Sequence, residues 1–77
     1  MEAKIRRQQA MVETRRAMVL DAAKVVFAKV GLERASMREI AKQAGYTPGA
    51  LYAYFSGKQE LLAALLDDML RRLQEVV

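Results

Sequence analysis

Two hydroxyl side chains stand where this chain of 77 residues is best equipped for polar chemistry: Ser36, three residues ahead of Glu39, and Thr47, directly ahead of Pro48. A serine or threonine at a helix start accepts a hydrogen bond from an orphan backbone N–H, and the free N–H groups around it attract an anion. The chemistry on offer is the capture of phosphate oxygens rather than the making and breaking of bonds. Pro48, Gly49 and Ala50, next in line, have no polar side-chain group. What they offer a ligand is methyl contact and close backbone approach. The chain has no Cys and no His, which removes thiolate nucleophiles, imidazole bases and the commonest soft metal ligands. The expectation is a protein that is not an enzyme, with no catalytic group, no cofactor and no metal.

Those hydroxyls need helices behind them. Ser36 with Glu39 reads as a capping box, in which the serine oxygen accepts one backbone N–H and the glutamate reaches back to the serine amide, so a helix starts at Met37. Apolar Met37, Ile40, Ala41 and Ala44 recur at helical spacing up to Gly45, which ends a helix in the left-handed conformation without steric cost. Thr47 as N-cap and Pro48 at the first helical position start a second helix at once, with Leu51 and Phe55 as its inward edge. Two short helices hinged at a glycine, over about residues 36–55, are the arrangement that carries one helix into a DNA groove.

Upstream, from about Arg15, the stripe Val19, Leu20, Ala23, Val26, Phe27 and Val30 predicts an amphipathic helix stopped by Gly31, with Leu32 placed for the hydrophobic contact that follows such a cap. Residues 1–13 form a polar, basic arm, either a frayed helix or a flexible lead-in. Downstream, Ser56-Gly57 breaks the chain. Residues 58–77 then carry Leu61, Leu62, Leu65, Leu66, Met69, Leu70, Leu73, Val76 and Val77 along a long helix. The expected class is all-α: a three-helix core, with Leu20, Ala23, Phe27, Ile40, Ala41, Leu51, Phe55, Leu62 and Leu65 inside, plus a fourth long helix. Its later stripe lies beyond the reach of so small a core and is expected to dock on a further domain or a second copy.

Charge is placed unevenly. Residues 1–58 hold eleven Lys/Arg against five Asp/Glu, net +6; residues 59–77 hold two against four, net −2, consistent with the overall +4. The basic part is the one suited to face phosphate. Within it, Lys4, Arg6, Arg7, Arg15 and Arg16 are read either as an arm tracking a neighbouring minor groove or as a solubilising tail. No apolar run approaches the ~20 residues of a membrane span, and the first residues lack the apolar centre of a signal peptide, so no membrane partner is expected.

The run Val19-Leu20-Asp21-Ala22-Ala23, then Phe27, Gly31, Ser36, Ile40-Ala41, Ala44-Gly45, Leu51-Tyr52-Ala53-Tyr54-Phe55 and Lys58-Gln59-Glu60-Leu61-Leu62 resembles the amino-terminal domain of TetR-type transcriptional regulators over residues 14–66. The resemblance implies a homeodomain-like helix-turn-helix domain that binds a double-stranded, palindromic DNA operator as a homodimer. It further implies a repressor released by a small-molecule inducer, working in the bacterial cytoplasm on the nucleoid. Residues 67–77 would lead into a larger carboxy-terminal domain for the inducer and the dimer. On the matching positions Arg38 reaches a base edge, Tyr52 and Tyr54 contact phosphate or base, and Lys58 binds phosphate, beside Ser36, Thr47, Pro48, Gly49 and Ala50. The alternative for the tyrosines, that one of them lends its ring partly to the core, is strongest for Tyr52, adjacent to Leu51. Two departures stand out: Tyr46 where an aliphatic residue is commoner, and Gly57 where a capping residue is commoner, leaving Ser56 with Gln59 as a substitute capping box.

Overall fold

The computed structural model describes the backbone of residues 2–76 and the side chains of 10–75. The arm side chains Lys4, Arg6 and Arg7, and the stripe residues Val76 and Val77, lie outside the described side chains. Four helices follow one another: α1 (Glu2–Arg34), α2 (Met37–Ala44), α3 (Pro48–Tyr52) and α4 (Lys58–Val76). The expected all-α class is what the chain adopts, with the first part of the fourth helix sharing the core before the helix runs on.

Helix α1 starts earlier than the apolar stripe suggested. Residues 2–13 are largely Glu, Ala, Lys, Arg, Gln and Met, good helix formers with no Gly or Pro among them, so the polar lead-in continues the helix of the stripe. Thr14 is accommodated by donating its hydroxyl to the Ala10 carbonyl at 2.8 Å. The break falls at Gly31, whose φ of 83° and ψ of 166° lie in a region open in practice to glycine alone. The chain then makes one more turn, closed by the Ala35 N–H donating to the Gly31 carbonyl at 3.1 Å. Leu32, placed for the hydrophobic contact that follows the glycine, is 44% exposed.

The core is built from all four helices: Val19, Ala23 and Val26 of α1, Met37, Ile40 and Ala41 of α2, Leu51 of α3, Phe55 just past it, and Leu61 and Leu65 of α4. Each large apolar side chain fully buried there contributes about 1.5–3 kcal/mol. Leu20, Phe27 and Leu62, expected inside, are only half-buried. Val19 and Leu61, each one residue earlier on its helix, are fully buried at the centre, while Ala23 and Leu65 are buried as expected. Ala41 is fully buried. On the far side Lys24 of α1 lies 3.9 Å from Asp68 of α4, tying the two long helices at their exposed rim.

Candidate nucleic-acid interface

The α2–α3 turn is determined residue by residue. Ser36 is in extended conformation and its Oγ accepts from the Glu39 N–H at 3.1 Å, which starts α2. Among the described residues Glu39 makes no return bond to the Ser36 amide, so only the serine half of the expected capping box forms. At the other end Gly45 sits at φ 81°, ψ 24°, in the left-handed region. Its N–H donates to the Lys42 carbonyl at 3.2 Å and the Tyr46 N–H to the Ala41 carbonyl at 2.8 Å, the paired bonds of a Schellman cap. Tyr46, half-buried, packs on the core from the position that such a cap reserves for a hydrophobic contact. Its ring is what an aliphatic side chain would otherwise supply.

Thr47 then caps α3, its Oγ1 accepting from the Ala50 N–H at 3.2 Å, with Pro48 in the first turn. Regular helix ends at Tyr52, earlier than the reading to Phe55. The chain nonetheless keeps coiling, with Tyr54 N–H to Leu51 carbonyl at 2.9 Å and Phe55 N–H to the same carbonyl at 3.1 Å. That tightening drives Leu51 and Phe55 inward, both essentially fully buried, and leaves Thr47, Pro48, Gly49 and Tyr52 exposed, with Ala50 half-buried. Arg38 projects from the exposed side of α2.

Of the two tyrosines it is Tyr54, not Tyr52, that lends its ring partly to the core. Tyr52 is 53% exposed, one position round the helix from the inward Leu51. Tyr54 is half-buried: its ring stacks on Tyr46 with centroids 6.4 Å apart and planes at 28°, and its carbonyl accepts from Arg16 Nη1 at 3.0 Å. Arg16 also lies over the Phe55 ring, 4.4 Å from its centre. The ring that shares the core is therefore Tyr54.

Lys58 opens α4 and is half-buried, its Nζ donating to the Glu33 carbonyl at 3.1 Å and the Ala35 carbonyl at 3.0 Å. Two of its three N–H groups thus close the end of α1, and the ammonium is brought beside Ser36 with one donor left over. The cap of α4 also differs from expectation. Glu60, not Gln59, reaches back, its Oε2 accepting from both the Ser56 amide at 2.6 Å and the Ser56 hydroxyl at 2.5 Å. Those two bonds, the hydroxyl's first, hold the Glu60 carboxyl below its ordinary range. The arrangement thus brings Ser36 and Lys58 together at one side and gathers Thr47 to Tyr52 on α3. Tyr54 is drawn toward α1, where Arg15 donates to its hydroxyl, a contact that spacing gave no means of finding.

The fold and the turn chemistry are those of a helix-turn-helix domain, and comparison with known proteins gives its family. Residues 19–65 match the model of the bacterial regulatory proteins of the tetR family. The chain is 40% identical over 65 residues to the HTH-type transcriptional regulator TtgR of Pseudomonas putida, covering 84% of this chain and 31% of that protein. It is 39% identical over 67 residues to the HTH-type transcriptional repressor KstR2 of Rhodococcus jostii, covering 82% of this chain and 33% of that one. Among solved structures, the fatty acid degradation regulator FadR from Bacillus halodurans superposes with a TM-score of 0.75 at 33% identity, over 78% of this chain and 32% of that one. The chain belongs to the TetR family of bacterial regulatory proteins and carries its helix-turn-helix domain. It spans about a third of the length of these curated relatives.

Proposed function

We propose that this domain binds duplex DNA in a sequence-selective way, with α3 as the element presented to the major groove, and that it serves transcriptional regulation as a repressor. The observation that carries the reading is the orientation of α3: Leu51 and Phe55 anchor it while Thr47, Pro48, Gly49 and Tyr52 remain exposed beside the left-handed turn at Gly45. A five-residue helix so anchored offers a rigid edge with little bulk. The groove reading it supports is made of methyl contacts from Pro48 and Ala50, backbone approach at Gly49, the Tyr52 hydroxyl, and Arg38 toward a guanine edge. Ser36, Thr47, Tyr54 and Lys58 take the phosphates on either side, which fix register without reading sequence.

A homodimer on a palindromic operator follows from the same proposal, since one copy reads one half-site and two-fold symmetry sets the spacing of the pair. The relatives named regulator and repressor support this reading, and inducer binding belongs, on the same proposal, to the part of such proteins that this chain does not span. The test is selection of bound duplexes from a random pool at low salt. Enrichment of a common half-site is the expected result; a bound pool indistinguishable from the input would overturn sequence-selective binding.

A further inference from the structure

Arg15 and Tyr54, 39 residues apart in sequence, meet where α1 passes the end of α3: Arg15 Nη1 donates to the Tyr54 hydroxyl at 3.2 Å. The next residue, Arg16, is half-buried and engaged with the Tyr54 carbonyl and the Phe55 ring, and so fastens α1 to the motif. Arg15 is different. It is exposed, one of its five N–H groups is used on Tyr54, and among the described residues no carboxylate forms an ion pair with it. Because the Tyr54 oxygen accepts from the guanidinium, the hydroxyl's own proton is directed away from Arg15 and is available to a further acceptor.

The position of that hydroxyl is not left to rotamer chance. The Tyr54 ring is held against Tyr46, and Tyr46 immediately precedes Thr47, the cap of α3. A fixed neutral donor and an exposed fork of charged donors therefore lie side by side at the flank of the element presented to DNA. Their natural ligand is an oxyanion with several acceptor oxygens, which a phosphodiester provides. The hydrogen bond to Tyr54 raises the Arg15 guanidinium further above an already high value, so its charge is constant across any working pH.

Resting on the duplex-binding reading above, we propose that Arg15 and Tyr54 form a single clamp for one phosphate of the DNA backbone, with Arg15 supplying its charge. The clamp is read by titrating a labelled mixed-sequence duplex with the 77-residue chain across a salt series, comparing wild type with Arg15→Gln, Arg15→Lys, Tyr54→Phe and the Arg15→Gln/Tyr54→Phe double variant. Loss of one phosphate contact lowers the slope of log K against log salt by about 0.9 in Arg15→Gln, with affinity at low salt reduced about tenfold, while Arg15→Lys keeps the slope. Tyr54→Phe weakens binding with the slope kept, and the double variant loses less than the product of the single losses, because both groups hold the same oxygen atoms. Wild-type binding with an unchanged slope in Arg15→Gln would overturn the clamp and leave duplex binding standing. Strictly multiplicative losses would overturn the sharing of one phosphate, and a wild type that leaves the duplex unperturbed at low salt would overturn both readings.

Discussion

At the scale of single residues, Gly31 and Gly45 both have positive φ, but they are not equivalent. Gly45, at φ 81° and ψ 24°, occupies the left-handed helical region, which other residues enter at a cost of about 1–2 kcal/mol. Gly31, at φ 83° and ψ 166°, occupies a region that residues with a Cβ hardly enter, at a cost toward about 3 kcal/mol. A Cβ built on either meets nothing within 4 Å, so the penalty is conformational and not steric crowding from neighbours. Gly31→Ala is therefore expected to lower stability more than Gly45→Ala, and Gly45→Asn least of the three, as read from urea midpoints; equal losses at both positions would contradict the assignment. Both glycines were legible in the sequence, since each follows an apolar stripe at helical spacing. The partner of Tyr54 was not, because a contact spanning 39 residues depends on how α1 crosses α3, and no local spacing encodes that crossing. Lys58 lies between these cases: its place at a helix start was readable, while its two bonds to the end of α1 required the closed core.

At the scale of elements, features whose partners are local in sequence are the ones the residue types encode. The caps at Ser36, Gly45 and Thr47 involve partners three to five residues away, and they form as their residue types require. The cap of α4 shows the limit of that rule. With Gly57 as the last residue before the helix, its carbonyl accepting from Leu61 at 3.2 Å, the residue three further on is Glu60 rather than Gln59, so the glutamate makes the bonds to Ser56. A shift of one residue in the helix start changes which side chain reaches back. It also makes the cap sensitive to acid. The Glu60 carboxyl is lowered in the folded protein, so its contribution is fully present above the ordinary glutamate value of about 4.3 and is lost as pH falls through the lower folded value. Glu60→Gln is expected to lower the urea midpoint at pH 7, and the gap to wild type should close as pH drops below about 4. A gap that stays constant from neutral to acid would show that the charge on Glu60 does not act through the Ser56 bonds.

At the scale of the whole molecule, basic charge and apolar exposure fall on different elements. Arg15, Arg38 and Lys42 are exposed and Lys58 is half-buried, so the basic surplus of residues 1–58 reaches the surface, where like charge opposes the meeting of copies. The outer part of α4 has the opposite character. Leu66, Met69, Leu70 and Leu73, at i, i+3, i+4 and i+7, form one ridge and are 52%, 56%, 60% and 63% exposed. Arg71 pairs with Asp67 at 2.9 Å and Arg72 with Asp68 at 3.3 Å, which offsets part of the charge beside the ridge and leaves residues 59–77 at net −2. On the homodimer proposal, this apolar ridge is the surface on which two copies of the chain meet, leaving both α3 elements free for two half-sites of one duplex. Sedimentation of the chain is accordingly expected to show mass rising with concentration, and Leu73→Glu, which places a carboxylate on the most exposed residue of the ridge, to return it to monomer. The same variant should weaken binding to a two-half-site duplex while leaving a single half-site unaffected, because the loss lies in joining the copies and not in the contact with DNA. Sedimentation independent of concentration would remove this ridge from any role in pairing copies of the chain.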